Sequence, residues 1–172
     1  MLDINLIKYE PKYQEETLIK MADFFGFHRE LYDKSLGGSD FTVSEDTIKT
    51  LERWISADNA LYIIILETVS AGFIHIGYRG ENVAWIEDIY VDKKFRGKGI
   101  ASQAIKQAEE IIAQNENYTA VCIDVLPRNI DALKLYHRLG YTDLSILTLR
   151  KEFRESKRGD RDINLLGFDF KY

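Results

Sequence analysis

Between Ala60 and Val91 the chain holds three β-branched and aromatic runs, LYIIILE, GFIHIGY and VAWIEDIYV, separated only by polar breaks at Thr68–Ala71 and Arg79–Asn82. Breaks that short cannot hold a crossover, so the runs read as consecutive antiparallel strands joined by hairpins. The series then ends on a basic glycine turn, Arg96-Gly97-Lys98-Gly99, and a helical segment in which Ala101, Ala104, Ile105, Ala108, Ile111 and Ile112 share one face. An antiparallel meander that switches to a helix at a glycine turn constrains the fold more than any other feature.

The remaining elements are placed around this centre. Residues 2–9 read as a first strand, and Pro11 suits the first turn of a helix. Leu18, Met21, Ala22 and Phe25 give that helix an apolar face, and Gly26 and Gly37-Gly38 mark loops. Thr42-Val43-Ser44-Glu45 has the form of a capping box for a second helix carrying Ile48, Leu51 and Ile55. AVCIDV (120–125) reads as a buried strand. A further helix carries Ala132, Leu135, Tyr136 and Leu139, with Asn129 as its cap and Gly140 as its stop. Two last strands are expected at about Leu144–Phe153 and Ile163–Phe170, flanking the charged stretch ESKRGDRD. The order β-α-α-β-β-β-α-β-α-β-β implies an α/β (α+β) fold: a mixed, mostly antiparallel central sheet of about seven strands with helices on both faces. With 172 residues and no Pro/Gly/Ser-rich linker, one domain over 1–172 is expected.

Composition narrows the function. The start MLDINLIKYEPKY has neither the basic nor the apolar region of a secretory signal, and Leu61–Leu66 is too short to span a bilayer. The one cysteine, Cys122, excludes an internal disulfide framework and a cysteine zinc site, and His28, His75 and His137 lack ligand spacing. A cytoplasmic protein with no metal and no membrane partner is the expectation. The formal net charge of −5 argues against a general nucleic-acid partner and is compatible with a cationic small substrate.

At the glycine turn, helix-start amides without intrahelical partners, the positive end of the helix dipole and Lys93, Lys94, Arg96 and Lys98 gather in one place. That suits a phosphate or pyrophosphate. The P-loop pattern GxxxxGK[ST] is absent. A dinucleotide fingerprint fails because Ser102 stands where the third small apolar residue belongs, and because the turn follows a third antiparallel strand. Arg96-Gly97-Lys98-Gly99-Ile100-Ala101 instead matches R/Q-x-x-G-x-G/A directly.

This turn, its strand and NIDALKLYHRLGY (Asn129 to Tyr141) resemble the two signature segments of the GNAT acetyltransferase superfamily. The resemblance covers residues 70–142 in detail and most of the chain in element order. It implies that Arg96, Gly97, Lys98, Gly99, Ile100 and Ala101 hold the pyrophosphate of acetyl-CoA. It also implies that the backbone at Ile89, Tyr90 and Val91 pairs with the pantetheine arm where a bulge splays this strand from the next. Asn129 matches the pantetheine-side asparagine, a role that competes with its helix cap. Tyr136 matches the tyrosine that protonates the departing thiolate, and its ring equally suits the core face of its helix.

Strand alternation puts Trp85, Glu87, Ile89 and Val91 on one side and Ile86, Asp88 and Tyr90 on the other. Two adjacent carboxylates in an apolar strand are costly to bury without partners. An alkyl amine, with a pKa of about 10.4, is neutral at pH 7 only at a cost of about 4–5 kcal/mol, so a nearby carboxylate that takes its proton lowers the barrier. WIEDIYVDKKFRGKGIAS is similar in form to the matching segment of the spermidine/spermine N-acetyltransferases, which implies Glu87 as the base. Asp88, Asp124 and a water relay stay open as alternatives. His75 reads as structural and Cys122 as a core thiol.

The resemblance therefore implies an enzyme, an N-acetyltransferase that moves an acetyl group from acetyl-CoA to a primary amine of a small cationic molecule, polyamine- or aminoglycoside-like, by direct ternary-complex transfer. A protein N-terminal or lysine acetyltransferase and a non-catalytic acyl-CoA-binding module are the alternatives. Tyr32, Asp33, Trp85, Asp88 and Asp124 are the candidate substrate contacts, with the segment from Phe24 to Phe41 expected to be irregular and to form the acceptor wall. The last strand, INLLGFDFKY, is available for pairing in a homodimer.

Overall fold

The computed structural model describes residues 3–32, 42–151, 153 and 161–172. They fall into two compact units, one built from residues up to Phe25 and from 40 to Asp124, the other from Gly26–Ser39 and Val125–Tyr172.

The first unit is a five-stranded sheet in the order β1-β2-β3-β4-β5. Its strands are β1 (Ile4–Lys8), β2 (Asn59–Leu66), β3 (Val69–Gly77), β4 (Val83–Val91) and β5 (Ala120–Ile123). The first four pair antiparallel, and β5 runs parallel to β4. The hairpin between β2 and β3 is tighter than the polar break suggests: Val69 already pairs with Leu66, and Glu67 takes a left-handed conformation (φ 56°) to close the turn. Helix α3 (Ile100–Ala113) supplies the crossover that a parallel neighbour requires.

Helices cover both faces. On one face α1 (Gln14–Tyr32) and α2 (Glu45–Trp54) bring Leu18, Met21, Phe24, Leu51 and Trp54 against Leu61, Ile63, Phe73 and Tyr90. On the other, Ile100 and Ala104 of α3 pack on Ile4, Ile64, Leu66, Ala71 and Val91. The Gln107 side chain of α3 accepts from Leu6 N (2.9 Å) and donates to Ile4 O (2.7 Å), which satisfies the edge of β1 as a further strand would.

Three expectations are corrected. Helix α1 does not stop at Gly26 but runs on to Tyr32, so the stretch from Phe24 to Tyr32 is helical; one glycine costs a helix only about 1 kcal/mol, which the turns on either side absorb. The capping box lies two residues further on than Thr42–Glu45: Ser44 accepts from Thr47 N (3.2 Å) and Thr47 Oγ1 accepts from Ser44 N (3.4 Å). With that frame Thr47, Leu51 and Trp54 are buried while Ile48 and Ile55 are exposed. The central sheet has five strands among the described residues rather than about seven.

In the second unit the described residues from Leu144 to Lys151 form no strand, and β6 (Asp162–Leu165) and β7 (Phe168–Lys171) pair with each other as a separate hairpin. Leu166 and Gly167, both at positive φ, close it in two residues. Here α4 (Ile130–Arg138) starts on Asn129, whose side chain accepts from Ala132 N (3.3 Å). It ends in a Schellman motif: Gly140 N–H donates to His137 O and Tyr141 N–H to Tyr136 O, both at 3.1 Å. The Tyr136 and Tyr141 rings meet at 6.1 Å, the hydrophobic contact that accompanies this stop. The spacing Y-x-x-x-G-Y therefore fixes the place of the Tyr136 ring, and Gly140 sits at φ 98°, where a Cβ is strained. Gly140→Ala is expected to lower stability by about 1 kcal/mol, read as a shifted denaturant midpoint at constant m value.

Candidate active site

Strand β4 positions most of the candidate residues. Phe73 faces Tyr90 and His75 faces Asp88, but the next residue, Ile76, faces Ile86. Glu87 is the extra residue of a β-bulge. The bulge overturns the expectation that Glu87 and Asp88 point to opposite sides. Asp88 meets His75, whose ring stacks on Trp54 of α2. Glu87 turns over Gly77, two residues on from His75 and on the same face: a Cβ on Gly77 would overlap Glu87 Oε1 and lie 2.9 Å from its Cγ. Both carboxylates therefore stand on the face covered by α1 and α2, while Ile89 and Val91 pack toward α3.

Arg79 is the residue that sequence reasoning missed. It leaves the end of β3, lays its guanidinium 3.9 Å from the centre of the Trp85 ring, and reaches Glu87 Oε1 through Nε (2.9 Å) and Asp124 Oδ2 through Nη2 (3.4 Å). Its only signal in the sequence was a place in a hairpin break. Trp85, Glu87 and Asp124 are thus gathered around one cation. Burial raises the Glu87 pKa; Arg79 and then His75 oppose the shift, and Asp88 and Asp124 add to it.

Beyond Ile86, β4 and β5 part. Parallel pairing covers only Val83–Ile86 against Ala120–Ile123, and β4 continues to Val91. Asp92 N–H donates to Ala71 O of β3 (2.9 Å). Backbone groups alternate along a strand, so Tyr90 also faces β3, and Ile89 and Val91 aim at the opposite edge. Arg96 Nε donates to Val91 O there (2.9 Å). The Tyr90 side chain turns inward, its hydroxyl donating to Asp23 of α1, which also pairs with Lys93 (3.3 Å). Burial first, and then that hydrogen bond, raise the Tyr90 pKa.

The glycine turn follows. A short 3₁₀ segment, Lys93–Phe95, leads to Gly97 (φ 73°) and Gly99 (φ 81°), and Gly99 caps α3 in a left-handed conformation. A Cβ built at either glycine meets nothing within 4 Å, so the backbone here borders open space. Arg96, Lys98 and the start of α3 add positive potential at this turn.

The other candidates lie on other elements. Asn129 and Tyr136 belong to the second unit, where Asn129 caps α4 and Tyr136 is the buried residue of that helix. Tyr32 closes α1; its side chain, and all of Asp33, lie outside the described residues. Among the described residues no group of His, Cys, Asp and Glu side chains is arranged to hold a metal ion, and no helix is long and apolar enough to cross a membrane.

The fold and this strand–turn–helix define an acyltransferase-type scaffold. Residues 23–141 match the acetyltransferase (GNAT) family model, and the chain belongs to that family. It is 40% identical over 73 residues to the thialysine N-epsilon-acetyltransferase of Mus musculus, a stretch that spans 42% of this chain and 42% of that protein. The streptothricin acetyltransferase of Escherichia coli is 27% identical over 138 residues, 77% of this chain and 78% of the relative. A spermine/spermidine N(1)-acetyltransferase of Bacillus subtilis is 25% identical over 57 residues, 33% of this chain and 38% of the relative. Among solved structures, an aminoglycoside N-acetyltransferase in complex with CoA superposes with a TM-score of 0.60 at 18% identity, covering 90% of this chain and 97% of that one.

Proposed function

We propose that the protein transfers the acetyl group of acetyl-CoA to a primary amine of a small cationic molecule, directly, in a ternary complex. One observation carries the reading: strand β4 presents in line a half-buried carboxylate on a bulge, a backbone edge at Ile89 and Val91 that β5 does not pair, and the open glycine turn. Those are the parts that amine activation, thioester alignment and pyrophosphate binding each require.

Glu87 is the base in this proposal. Its raised pKa brings it closer to that of the amine, and the carboxylates of Glu87, Asp88 and Asp124 attract a cation to the site. The incoming ammonium competes with Arg79 for Glu87 and Asp124, and Trp85 offers the substrate a ring wall once the guanidinium moves. Amides 97 to 101, with Arg96 and Lys98, take the pyrophosphate. Ile89 N–H and C=O and Val91 N–H take the pantetheine amides, and the same edge polarises the thioester carbonyl. Asn129 lines the pantetheine side while it caps α4. Tyr136 returns a proton to the departing thiolate. No covalent enzyme intermediate forms.

The deciding assay measures free thiol released from acetyl-CoA with a panel of amines: thialysine, spermidine, an aminoglycoside, streptothricin and a peptide N-terminus. The small cationic amines are expected to support turnover and the peptide to be poor. Tight CoA binding with no thiol released by any amine would favour the non-catalytic module instead. Gly77→Ala adds a finer check. The three atoms nearest its new Cβ all belong to the Glu87 side chain and none to backbone, so the carboxylate is displaced at an expected stability cost of about 1–2 kcal/mol. Turnover is then expected to fall at least tenfold, measured beside the unfolding midpoint.

A further inference from the structure

Arg79 lies past the last residue of β3 and its side chain is half exposed, yet its guanidinium has three partners. It stacks 3.9 Å from the centre of the Trp85 ring, Nε is 2.9 Å from Glu87 Oε1, and Nη2 is 3.4 Å from Asp124 Oδ2. These partners share a place in the fold. Parallel pairing of β4 with β5 ends at Ile86 and Ile123, and Glu87 and Asp124 are the residues that follow. Trp85 pairs with Gly77, which has no side chain to fill the space beside Glu87. A ring face and two carboxylates therefore form a seat for one cation, at the mouth of the fork where β4 and β5 part.

Arg79 fills that seat without being locked into it. Strand pairing on its side of the hairpin ends at Gly77, so no ladder fixes residue 79. Ion pairs and cation–π contacts that water reaches are each weak. The guanidinium can leave while the hairpin stays folded, and its departure opens two carboxylates and an aromatic face to another cation.

We propose that Arg79 is an internal substrate mimic, whose guanidinium occupies the seat of the acceptor's ammonium until the acceptor displaces it. This rests on the reading of the protein as an amine acetyltransferase with Glu87 at the acceptor. Arg79 is then a specificity-determining residue and not a catalytic one. While seated, it holds Glu87 Oε1 in an ion pair and keeps that oxygen from any amine. Only the fraction of molecules with the guanidinium swung out can receive the acceptor, and the apparent affinity is reduced by that fraction. An acceptor must bring its own positive charge to take over both carboxylates and the Trp85 face, so neutral polar molecules are turned away.

The test uses Arg79→Ala, with N-ethylguanidinium as the probe that restores the missing head group. KM for the cationic acceptor is expected to fall about tenfold while kcat stays within about twofold, because the competitor is gone and the chemistry is untouched. N-ethylguanidinium is expected to inhibit the variant competitively with the amine, and to inhibit the unaltered protein about tenfold more weakly, since its seat is already filled. A KM that is unchanged or raised, above all for an acceptor bearing a carboxylate such as lysine, would show that Arg79 binds the acceptor rather than standing in for it, and would overturn the proposal. Inhibition that is not competitive would do the same, by separating the guanidinium's seat from the acceptor's. Arg79→Gln keeps much of the stem without the charge and is expected to give the same result if the alanine variant is unstable. Absence of turnover with every amine in the unaltered protein would count against the acetyltransferase reading itself. Calorimetry then decides the seat alone: N-ethylguanidinium is expected to bind Arg79→Ala and hardly the unaltered protein, and equal binding to both would sink the proposal.

Discussion

Glu87→Gln is expected to lower turnover about 10²- to 10⁴-fold at pH 7, the usual contribution of a positioned general base. The amide keeps the shape of the side chain and can still accept from Arg79 Nε, so the bulge and the stacking of Arg79 on Trp85 are expected to survive. What is lost is the proton acceptor. The deficit should therefore shrink as the pH approaches about 10, where the amine supplies its own neutral form. In the unaltered protein kcat/KM is expected to fall on the acid side through a pKa above the ordinary glutamate value, because burial outweighs Arg79 and His75 at this carboxylate. Initial rates across that range, for both proteins, check the claim. A uniform loss at every pH, or no loss, would remove Glu87 as the base. CoA affinity should hardly change, since the glycine turn is formed by residues 96–101 and not by Glu87.

Gly72→Ala is expected to have the largest effect on stability, about 3 kcal/mol. A Cβ at Gly72 would overlap the Tyr90 carbonyl oxygen and lie 3.0 Å from its carbon and 3.1 Å from Val91 Cα. All three are backbone atoms, so no side chain can swing aside as Glu87 does over Gly77. Relief requires β3 and β4 to move apart where Gly72 pairs with Val91. The denaturant midpoint should fall at nearly constant m value. Because Ile89 and Val91 are the proposed seat of the pantetheine arm, CoA affinity should weaken in the same variant. A stable variant with normal CoA affinity would show that the two strands are less closely bound together than their approach implies.

Much of this architecture is local and can be read from the chain. The third run, VAWIEDIYV, matches β4 end to end, and Ala104, Ile105, Ala108 and Ile112 are the buried face of α3. The left-handed conformations of Gly97, Gly99 and Gly140 follow from glycines placed at a helix start and a helix stop. Periodicity, caps and turns act over a few residues, so a single sequence carries them. The continuation of α1 through Gly26 was not legible, because a glycine's small local penalty is outweighed by the helix turns on either side of it. The fate of the last two strands was not legible either: β6 and β7 have strand composition, and nothing in a run of residues says which sheet it joins.

The candidate site divides along the same line. By itself, the sequence determined that one strand brings an acidic pair and a basic glycine turn within a few residues of each other. Only the tertiary structure decided what each member of the acidic pair contacts. The bulge depends on how β4 registers against β3, and pairing offsets between strands are long-range facts that strict alternation cannot foresee. The same register sets His75 against Asp88, and the path of the chain beyond β3 brings Arg79 over Trp85 and onto Glu87. Two neighbouring carboxylates thereby acquire different partners, one a buried imidazole and the other an exposed guanidinium.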